Sequence, residues 1–494
     1  MSTLAQDKVA TTSPRHPRGI YTLYFTEMWE RMSYYGMRAL LILYMTAELA
    51  HGGLGLDSAT AGAIYGLYTC AAYLAALPGG WIADWLIGSQ RAVLFGGCVI
   101  ALGHFTLAIP DRRAFFAGLL LVVLGTGLLK PNASALVGQL YPEGGARRDA
   151  GFTLFYMGIN LGAFIGPLVC GYLGEEVNWH VGFAASGVGM VFGVGQYVLT
   201  RHHLGTAGKE PSVANQTRRR DWIFLCAVLA VILLFATLAL SGALVINPVV
   251  LANRTGIAIV SVAVLWFLAT LSFARLERAE SKRLMVVAIL FITAVVFWAG
   301  FEQTGSVMNL FGKNYTNRVL FGWEIPASWL LSVNALLILL LAVPVSSLWL
   351  SLAKRGMRPS LVTKCAAGLL LLSAGFFVMH FGARSALAAG RVSCLWLCTT
   401  YLLHTFGELF LSPVGLSAVT KLAPARLASQ TMGVWFLATS LGNLLAGLFA
   451  NGMSSENVAG MPAQFLQVAL IAGGGGLVLL LLSPLIRRLM PGIE

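Results

Sequence analysis

The chain has 494 residues, of which 57% are apolar and only 11% are charged, and its formal net charge is +13. A soluble domain carries roughly 25% charged residues, so this composition excludes an ordinary soluble protein and predicts a surface that faces lipid. The basic residues lie in short alternate loops and do not form one solvated face, which argues against nucleic-acid binding.

Fourteen apolar segments are each long enough to cross a hydrocarbon core, which requires roughly 20 helical residues. We therefore predict an all-α membrane protein with fourteen transmembrane helices. Basic residues recur in every second loop, as at Arg147 and Arg148, whereas the loop at 52–57 has none. This alternation follows the positive-inside rule and predicts cytoplasmic termini in a multi-pass protein of the plasma membrane, the inner membrane of a bacterium.

The polar stretch at 202–221 predicts a linker between two halves. An internal repeat supports this division, because 125–142 aligns without gaps on 407–424 and the two segments share Gly and Pro positions. Two sets of six helices with an inserted pair then account for all fourteen. The predicted organisation is a cytoplasmic N-terminal tail at 1–18, an N-terminal six-helix bundle at 19–201, the linker at 202–221, the inserted helix pair and connector at 222–283, and a C-terminal six-helix bundle at 284–494.

The first predicted helix contains a stripe of polar residues inside the membrane. Five of them follow spacings of three, four and seven and therefore share one helical face: Glu27, Glu30, Arg31, Tyr34 and Arg38. Each ionisable residue at that depth costs about 2.5–3.5 kcal/mol or more, so the cluster indicates a function. A purely structural pairing of these charges along the helix is the alternative interpretation.

Later helices contain further polar groups, and we number these helices without the inserted pair. Lys130 precedes Pro131 in the fourth helix, where the proline disturbs the backbone hydrogen bonds. In the seventh helix four residues predict one stripe on a continuous helix: Trp298, Glu302, Ser306 and Asn309. The other polar positions are Asn160 in the fifth helix, Asn334 in the eighth, Glu408 and Ser412 in the tenth, and Trp435 in the eleventh. For Asn334, hydrogen bonding between helices is an equally good interpretation.

The charges near the middle of the membrane do not balance. Four acids (Glu27, Glu30, Glu302 and Glu408) accompany three bases (Arg31, Arg38 and Lys130). One carboxylate therefore lacks a fixed partner, and it can take up a proton because burial disfavours its charged form. This pattern favours a proton-coupled carrier over a channel or a scaffold.

Motifs of bond-making enzymes are missing from the sequence. It contains no HExxH, GxSxG or P-loop, and its eight histidines and seven cysteines are scattered. We therefore expect neither an enzyme nor an ATP-driven pump, no metal site and no cofactor, with the proton gradient as the energy source.

The segment 27–36 (EMWERMSYYG) resembles the ExxER motif and its YYG extension in the proton-dependent oligopeptide transporters, a branch of the major facilitator superfamily. Four further segments resemble family signatures in the family's order: 79–88 (GGWIADWLIG), 155–167 (FYMGINLGAFIGP), 297–306 (FWAGFEQTGS) and 407–417 (GELFLSPVGLS). The resemblance covers nearly the whole chain. It implies the major facilitator fold, in which two six-helix bundles enclose a cavity that opens alternately to either side, and symport of di- and tripeptides with protons.

Residue by residue, the resemblance implies four sets of functional positions. The proton-coupling set is Glu27, Glu30, Arg31, Lys130 and Glu302. The gate salt bridge is Arg38 with Glu302. The peptide-binding set is Tyr34, Arg38, Tyr73, Lys130, Asn160, Trp298, Asn334, Glu408, Ser412 and Trp435. The cytoplasmic gate loop is marked by Gly80, Asp84 and Gly88.

Three positions depart from the family pattern. Met32 replaces a phenylalanine, Trp85 replaces a basic residue and weakens one cytoplasmic gate contact, and Phe301 replaces a second acid beside Glu302. The alternatives are a proton-coupled carrier of nitrate, a modified amino acid or another small solute, a drug exporter, and a non-transporting nutrient sensor. We expect peptides, protons and membrane lipids as partners, with no obligate protein partner and a monomeric chain.

Overall fold

A computed structural model describes residues 16–143, 145–213, 218–357, 359–450 and 458–490. The predicted N-terminal tail therefore lies outside the described residues except for 16–18, and so do residues 214–217 of the predicted linker. The domain boundaries given above stay predictions.

The first half of the chain forms six rods, where a rod is one helix, or two consecutive helices, that crosses the molecule once. Their helices are α1 (Arg18–Thr46), α2 (Ser58–Leu74) continued by α3 (Ala76–Ile82), α4 (Ser89–Leu107), α5 (Arg112–Gln139), α6 (Gly145–Tyr172) and α7 (Trp179–Thr200). Side-chain caps fix several starts, because free backbone N–H groups at a helix N-terminus need acceptors. Asp57 accepts from the Thr60 N–H at 2.9 Å, and Asp111 accepts from the Ala114 N–H at 2.8 Å.

Two further helices follow as a hairpin: α8 (Arg218–Leu240) and α9 (Pro248–Phe273). Helix α9 packs on α2 and on a helix of the second half, which places the hairpin beside both halves. Helix α8 is exposed along its length, and no residue of its most apolar stretch is buried. The hairpin therefore stands at the periphery of the molecule.

The second half forms six more rods. Their helices are α10 (Arg278–Phe301) with α11 (Val307–Tyr315), α12 (Ser332–Lys354), α13 (Leu361–Ala389), α14 (Leu395–Leu422), α15 (Ala428–Leu448) and α16 (Met461–Arg488). Short strands occur between them: β1 (Thr316–Asn317) pairs in parallel with β4 (Val392–Ser393), and β2 (Val319–Leu320) pairs antiparallel with β3 (Trp323–Glu324).

Each half has a large apolar core, and a smaller buried cluster joins the halves. Leu40, Tyr44 and Phe183 belong to that of the first half, and Phe297 and Phe376 belong to that of the second. Within the described residues, twelve helical segments are long and apolar enough to cross a membrane, and α1 and α14 complete the fourteen. The predicted all-α fold of two six-helix bundles with an inserted pair is thus confirmed for this multi-pass membrane protein.

An even number of crossings places the start of α1 and the end of α16 on one side. We call the side where α1 begins at Arg18 and α16 ends at Arg488 the terminal face, and the other side the opposite face. The turns after α1, α2–α3 and later rods therefore alternate between the two faces. The strands β1 to β4 lie at the opposite face.

The seventh rod is not the continuous helix that the sequence predicted. Helix α10 ends at Phe301, a 3₁₀ turn spans Glu302–Gly305, and Ser306 has φ −122° and ψ −95° before α11 begins. Within the turn only glycine fits at position 305, because a Cβ there would lie 1.8 Å from the Tyr65 hydroxyl. The break splits the predicted stripe: Glu302 stays in the interior, whereas Ser306 donates to the Ala446 carbonyl at 3.0 Å.

Candidate functional site

A cavity of about 170 Å³ lies between the two halves. Its walls come from α1, α2 and α6 on one side and from α10, the 302–305 turn, α12 and α14 on the other. Seven residues predicted for the site line it: Arg38, Tyr73, Asn160, Trp298, Glu302, Asn334 and Glu408. The structure thus brings together positions that are up to 370 residues apart in the chain.

The two residues predicted to form the gate salt bridge are in contact. Arg38 Nη2 donates to Glu302 Oε2, and the Arg38 Nε–H donates to the Tyr65 hydroxyl. Both charged side chains are almost fully buried, at 8% and 7% exposed. The guanidinium also lies over the rings of Tyr35 and Tyr65, 5.8 and 5.4 Å from their centroids. These contacts attach α1 directly to the turn that follows α10.

A second charge cluster lies on α1, nearer the terminal face. Arg31 is 2.7 Å from Glu27 Oε1 and 3.0 Å from Glu30 Oε2, and all three side chains are buried. Glu30 is the less satisfied carboxylate, because neither of its oxygens accepts an aligned hydrogen bond from the described part of the chain. A buried carboxylate in that situation is costly as an anion and is a natural site for a proton.

Lys130 reaches this cluster from α5. Its ammonium lies 3.7 Å from the centroid of the Tyr73 ring and interacts electrostatically with Glu30 and Arg31. No salt bridge to Lys130 occurs among the described residues. Lys130 is not among the residues that line the cavity, but it contacts Tyr73, which does.

A second acid of the second half, Glu408, lines the cavity. Glu408 of α14 accepts a hydrogen bond from Asn334 Nδ2 at 3.3 Å, and the same amide donates to the Thr405 hydroxyl at 2.9 Å. Glu408 is half-buried and faces the cavity without a basic partner among the described residues. The site therefore has cations on the side of the first half and an unpaired anion on the side of the second.

Besides Lys130, three predicted peptide-binding residues are not among the residues that line the cavity. Tyr34 is buried and stacks on Tyr68 with a centroid distance of 6.2 Å. Trp435 is buried in the core of the second half, where its ring covers Gly415. Ser412 is half-buried on α14. Their predicted contact with a substrate stays untested.

The predicted gate loop lies at the terminal face, where α3 ends and α4 begins. Asp84 accepts from the Ser212 hydroxyl at 2.9 Å, so the loop is fastened to the segment that follows α7. Gly88 has φ +82°, a backbone conformation that disfavours other residues. Gly80 has open space where a side chain would be.

Several cavity residues were not predicted from the sequence. Tyr35, Tyr156, Phe301 and Thr304 line the cavity, and Tyr65 holds Arg38 from behind. A signal existed for two of them, because Tyr35 follows the ExxER motif directly and Tyr156 precedes Asn160 by one helical turn. Tyr65 shows no comparable pattern.

Hydrogen bonds between the halves cluster toward the opposite face. Asn309 donates to the Ala39 carbonyl at 2.9 Å, and the Trp329 indole donates to the Leu168 carbonyl at 2.9 Å. The Ser332 hydroxyl donates to the Phe164 carbonyl at 2.8 Å. We call this region, with Arg38 and Glu302 at its base, the closed end.

An unpredicted carboxylate, Glu175, is the centre of a second contact in the closed end. Its side chain is 1% exposed. Glu175 Oε1 accepts from the Ser328 N–H at 2.9 Å and from the Ser328 hydroxyl at 2.7 Å, and Oε2 lies 2.9 Å from Lys313 Nζ. Lys313 belongs to α11 and Ser328 to the 3₁₀ segment before α12, so Glu175 joins the end of α6 to α11 and to the segment between α11 and α12.

Comparison with known proteins identifies the family. The POT family model matches residues 90–465. The chain is 43% identical to "Peptide transporter YePEPT" of Yersinia enterocolitica, over 96% of this chain and 95% of that one. It is 39% identical to a "Di-/tripeptide transporter" of Lactococcus lactis, over 88% of this chain and 89% of that one. A crystal structure of a mutant POT peptide transporter in complex with alafosfalin matches with a TM-score of 0.88 and 38% identity, over 97% and 96% of the two chains.

The fold and the interior charges define a carrier of the major facilitator superfamily. Within that class, the chain belongs to the POT family, which confirms the resemblance stated from its motifs. Its relatives are named as transporters and not as enzymes, in agreement with the prediction.

We predict that Glu175→Ala loosens the closed end. The change leaves the Ser328 N–H without its acceptor, and a hydrogen bond to a charged group contributes about 1.5–3 kcal/mol. Backbone amides at 327–331 should therefore exchange with deuterium roughly 10- to 150-fold faster, a factor that follows from that energy. Hydrogen–deuterium exchange mass spectrometry of the purified protein measures this rate.

The matched control is Glu176→Ala, because Glu176 is the exposed neighbour of Glu175. Exchange at 327–331 should stay at the wild-type rate in that variant. Equal exchange rates in the two variants would show that Glu175 does not hold the closed end.

Proposed function

We propose that this chain is a proton-coupled symporter that imports di- and tripeptides by alternating access. The observation that carries the proposal is the arrangement of charge in the cavity: Arg38, paired with Glu302, lines the side of the first half, and Glu408 lines the side of the second without a basic partner among the described residues. The names of its relatives, a peptide transporter and a di-/tripeptide transporter, support the same substrate class. Every group that the proposal uses belongs to this one chain, so it requires no second subunit.

We place the terminal face in the cytoplasm of a bacterial cell. The positive-inside rule supports this orientation, because Arg147 and Arg148, Arg275 and Arg487 are on the terminal side. The closed end then faces outward, and the cavity is shut toward the outside. A substrate that has entered from outside would be released at the terminal face.

A peptide of two or three residues matches the charges of the cavity. Its ammonium would bind at Glu408 beside Asn334, and its carboxylate would bind on the side of Arg38 and Lys130. Because these groups recognise only the two ends, the side chains can vary, and the aromatic walls of Tyr73, Tyr156 and Trp298 offer them apolar contact. Binding at both ends would also tie the two halves together, which links binding to the alternating motion.

Glu30 would carry the coupled proton. It shares Arg31 with Glu27, and its oxygens lack aligned hydrogen bonds from the described residues. Protonation of Glu30 would break its ion pair with Arg31. Arg31 and Lys130 would then attract the substrate carboxylate more strongly, because the competing negative charge of Glu30 is gone. The proton gradient then supplies the energy, and the proposal requires no cofactor.

The direct test is uptake into proteoliposomes that have an inward proton gradient. Labelled di-alanine should accumulate inside above its external concentration, and unlabelled tri-alanine should compete whereas nitrate and glucose should not. In Glu30→Gln, which mimics a permanently protonated acid, the internal concentration should not exceed the external one. The same variant should still exchange labelled for unlabelled di-alanine, because exchange needs no net proton movement.

Glu48→Gln is the control, because Glu48 is an exposed acid at the opposite face. This variant should accumulate peptide as the wild type does. No accumulation of di-alanine by the wild type would refute the proposed function. Full accumulation by Glu30→Gln would instead leave the function intact and remove Glu30 from proton coupling.

Glu408→Gln should lose the preference for a free amino terminus. A charge-assisted hydrogen bond contributes about 1.5–3 kcal/mol, so the wild type should prefer di-alanine to N-acetyl-di-alanine by roughly 10- to 150-fold. The variant should bind both weakly and nearly equally. Competition against labelled di-alanine in exchange assays measures the ratio, and a variant that keeps the wild-type ratio would show that the ammonium binds elsewhere.

A further inference from the structure

A second and larger cavity lies outside the transport pathway. It is a crevice of about 750 Å³ between the first half of the chain and the inserted hairpin, within the usual range of roughly 300–1,000 Å³ for ligand pockets. Its walls come from α2 and α5 on one side and from the ends of α8 and α9 with their connecting turn on the other. It therefore lies at membrane depth toward the opposite face.

The wall of the crevice is mostly apolar. Ile64, Phe116 and Leu120 line the side of the first half, and Ala236, Leu240 and Leu251 line the side of the hairpin. The turn at 241–246 leaves Val245 90% exposed, so the crevice is open to the surroundings of the protein. In a membrane those surroundings are lipid chains, which match an apolar wall.

Helix α8 contacts the first half near its start, but the crevice separates it from the first half toward its end. Near its start, Phe224 meets Trp81 edge to face with a centroid distance of 6.1 Å. Toward its other end the crevice separates α8 from α2 and α5. A ligand in the crevice would supply the packing that the protein itself does not make there.

Two arginines stand at the mouth of the crevice. Arg112 and Arg113 begin α5, both are exposed, and both line the crevice. Neither has a salt-bridge partner among the described residues. The nearby carboxylate of Asp111 already accepts from the Ala114 N–H at 2.8 Å as the helix cap. Two free guanidinium groups above an apolar wall match a phosphate attached to an acyl chain.

We infer that this crevice binds a phospholipid with an anionic headgroup. One acyl chain lies between α5 and α8, and the headgroup phosphate contacts Arg112 and Arg113. The lipid thereby fills the space between the hairpin and the first half. This site is independent of the proposed transport function and shares no residue with it.

Native mass spectrometry of the full-length protein, purified in detergent, tests the inference. The probes are phosphatidylglycerol, phosphatidylcholine with the same acyl chains, and inorganic phosphate. The wild type should prefer phosphatidylglycerol, and the preference should fall by roughly thirtyfold in the double variant Arg112→Gln/Arg113→Gln, because each basic residue contributes about a fivefold change. The control Arg384→Gln/Arg391→Gln removes the same charge from the same face and should keep the wild-type preference.

A second pair of variants tests the crevice itself. Ala236→Trp fills it and should abolish retention of both lipids at this site. Ala230→Trp places the same side chain on an exposed part of α8 outside the crevice and should retain phosphatidylglycerol as the wild type does. Both changes are on the lipid-facing helix, so neither disturbs a buried core.

Three results would overturn the inference. Equal affinity of the wild type for the two lipids would exclude a headgroup site, and so would an unchanged preference in Arg112→Gln/Arg113→Gln. Unchanged retention in Ala236→Trp would exclude the crevice. Displacement of the lipid by millimolar inorganic phosphate would indicate a simple anion site and would contradict the role of the acyl chain.

Discussion

The structure depends on one buried ion pair that crosses between the two halves. Removing a single partner from such a pair costs about 3–5 kcal/mol, because it leaves an uncompensated charge away from water. Arg38 and Glu302 are both almost fully buried, so each can be stable only while the other, or a substitute of the same charge, is present. The position of one half relative to the other is therefore tied to the state of this pair.

Much of the surrounding structure serves to position these two groups. The seventh rod breaks directly after Phe301, so Glu302 begins a 3₁₀ turn in the interior. Gly305 lets Tyr65 approach that turn, and Tyr65 in turn accepts from Arg38. Helix breaks in membrane proteins are tolerated where the freed backbone is buried in protein or lines a cavity, and both conditions hold here.

The pair also explains how a substrate could open the closed end. A peptide carboxylate in the cavity would offer Arg38 an alternative anionic partner. Protonation of Glu302 would weaken the ion pair between Arg38 and Glu302. Glu408 lies on the same side of the cavity as Glu302, but it is on α14, where it accepts a hydrogen bond from Asn334 and forms no ion pair with Arg38 among the described residues. If this pair is the gate that we predict, opening would require substrate or proton, which is the condition for coupled transport without leakage.

The sequence predicted what depends on local pattern. The fourteen rods follow from apolar length, and the polar stripe on α1 follows from helical spacing. The contact between Arg38 and Glu302 was implied by the family resemblance and is present. The seventh rod was predicted wrongly as one helix: the turn at 302–305 brings Gly305 against Tyr65, a contact between residues 240 apart that no local pattern reveals.

Other features were not predictable because they arise from packing between distant segments. In the sequence, nothing distinguishes Glu175 from other acidic residues in loops. It becomes a link between the halves only because Lys313 and Ser328 approach it in the fold. The burial of Trp435 against Gly415 likewise depends on how α15 packs on α14. The crevice beside α8 is a space between helices that are distant in sequence, so no local residue pattern predicts it.

The distance across the closed end tests the central claim most directly. Spin labels at Val177→Cys and Phe321→Cys, both strongly exposed, report on the two halves in a background without the native cysteines. Electron–electron double resonance should give one short distance in the otherwise unchanged protein and a broad, longer distribution in Glu302→Ala. Glu48→Ala, an exposed acid at the same face, should keep the short distance. A Glu302→Ala distribution identical to that of Glu48→Ala would contradict the claim that this ion pair holds the halves together.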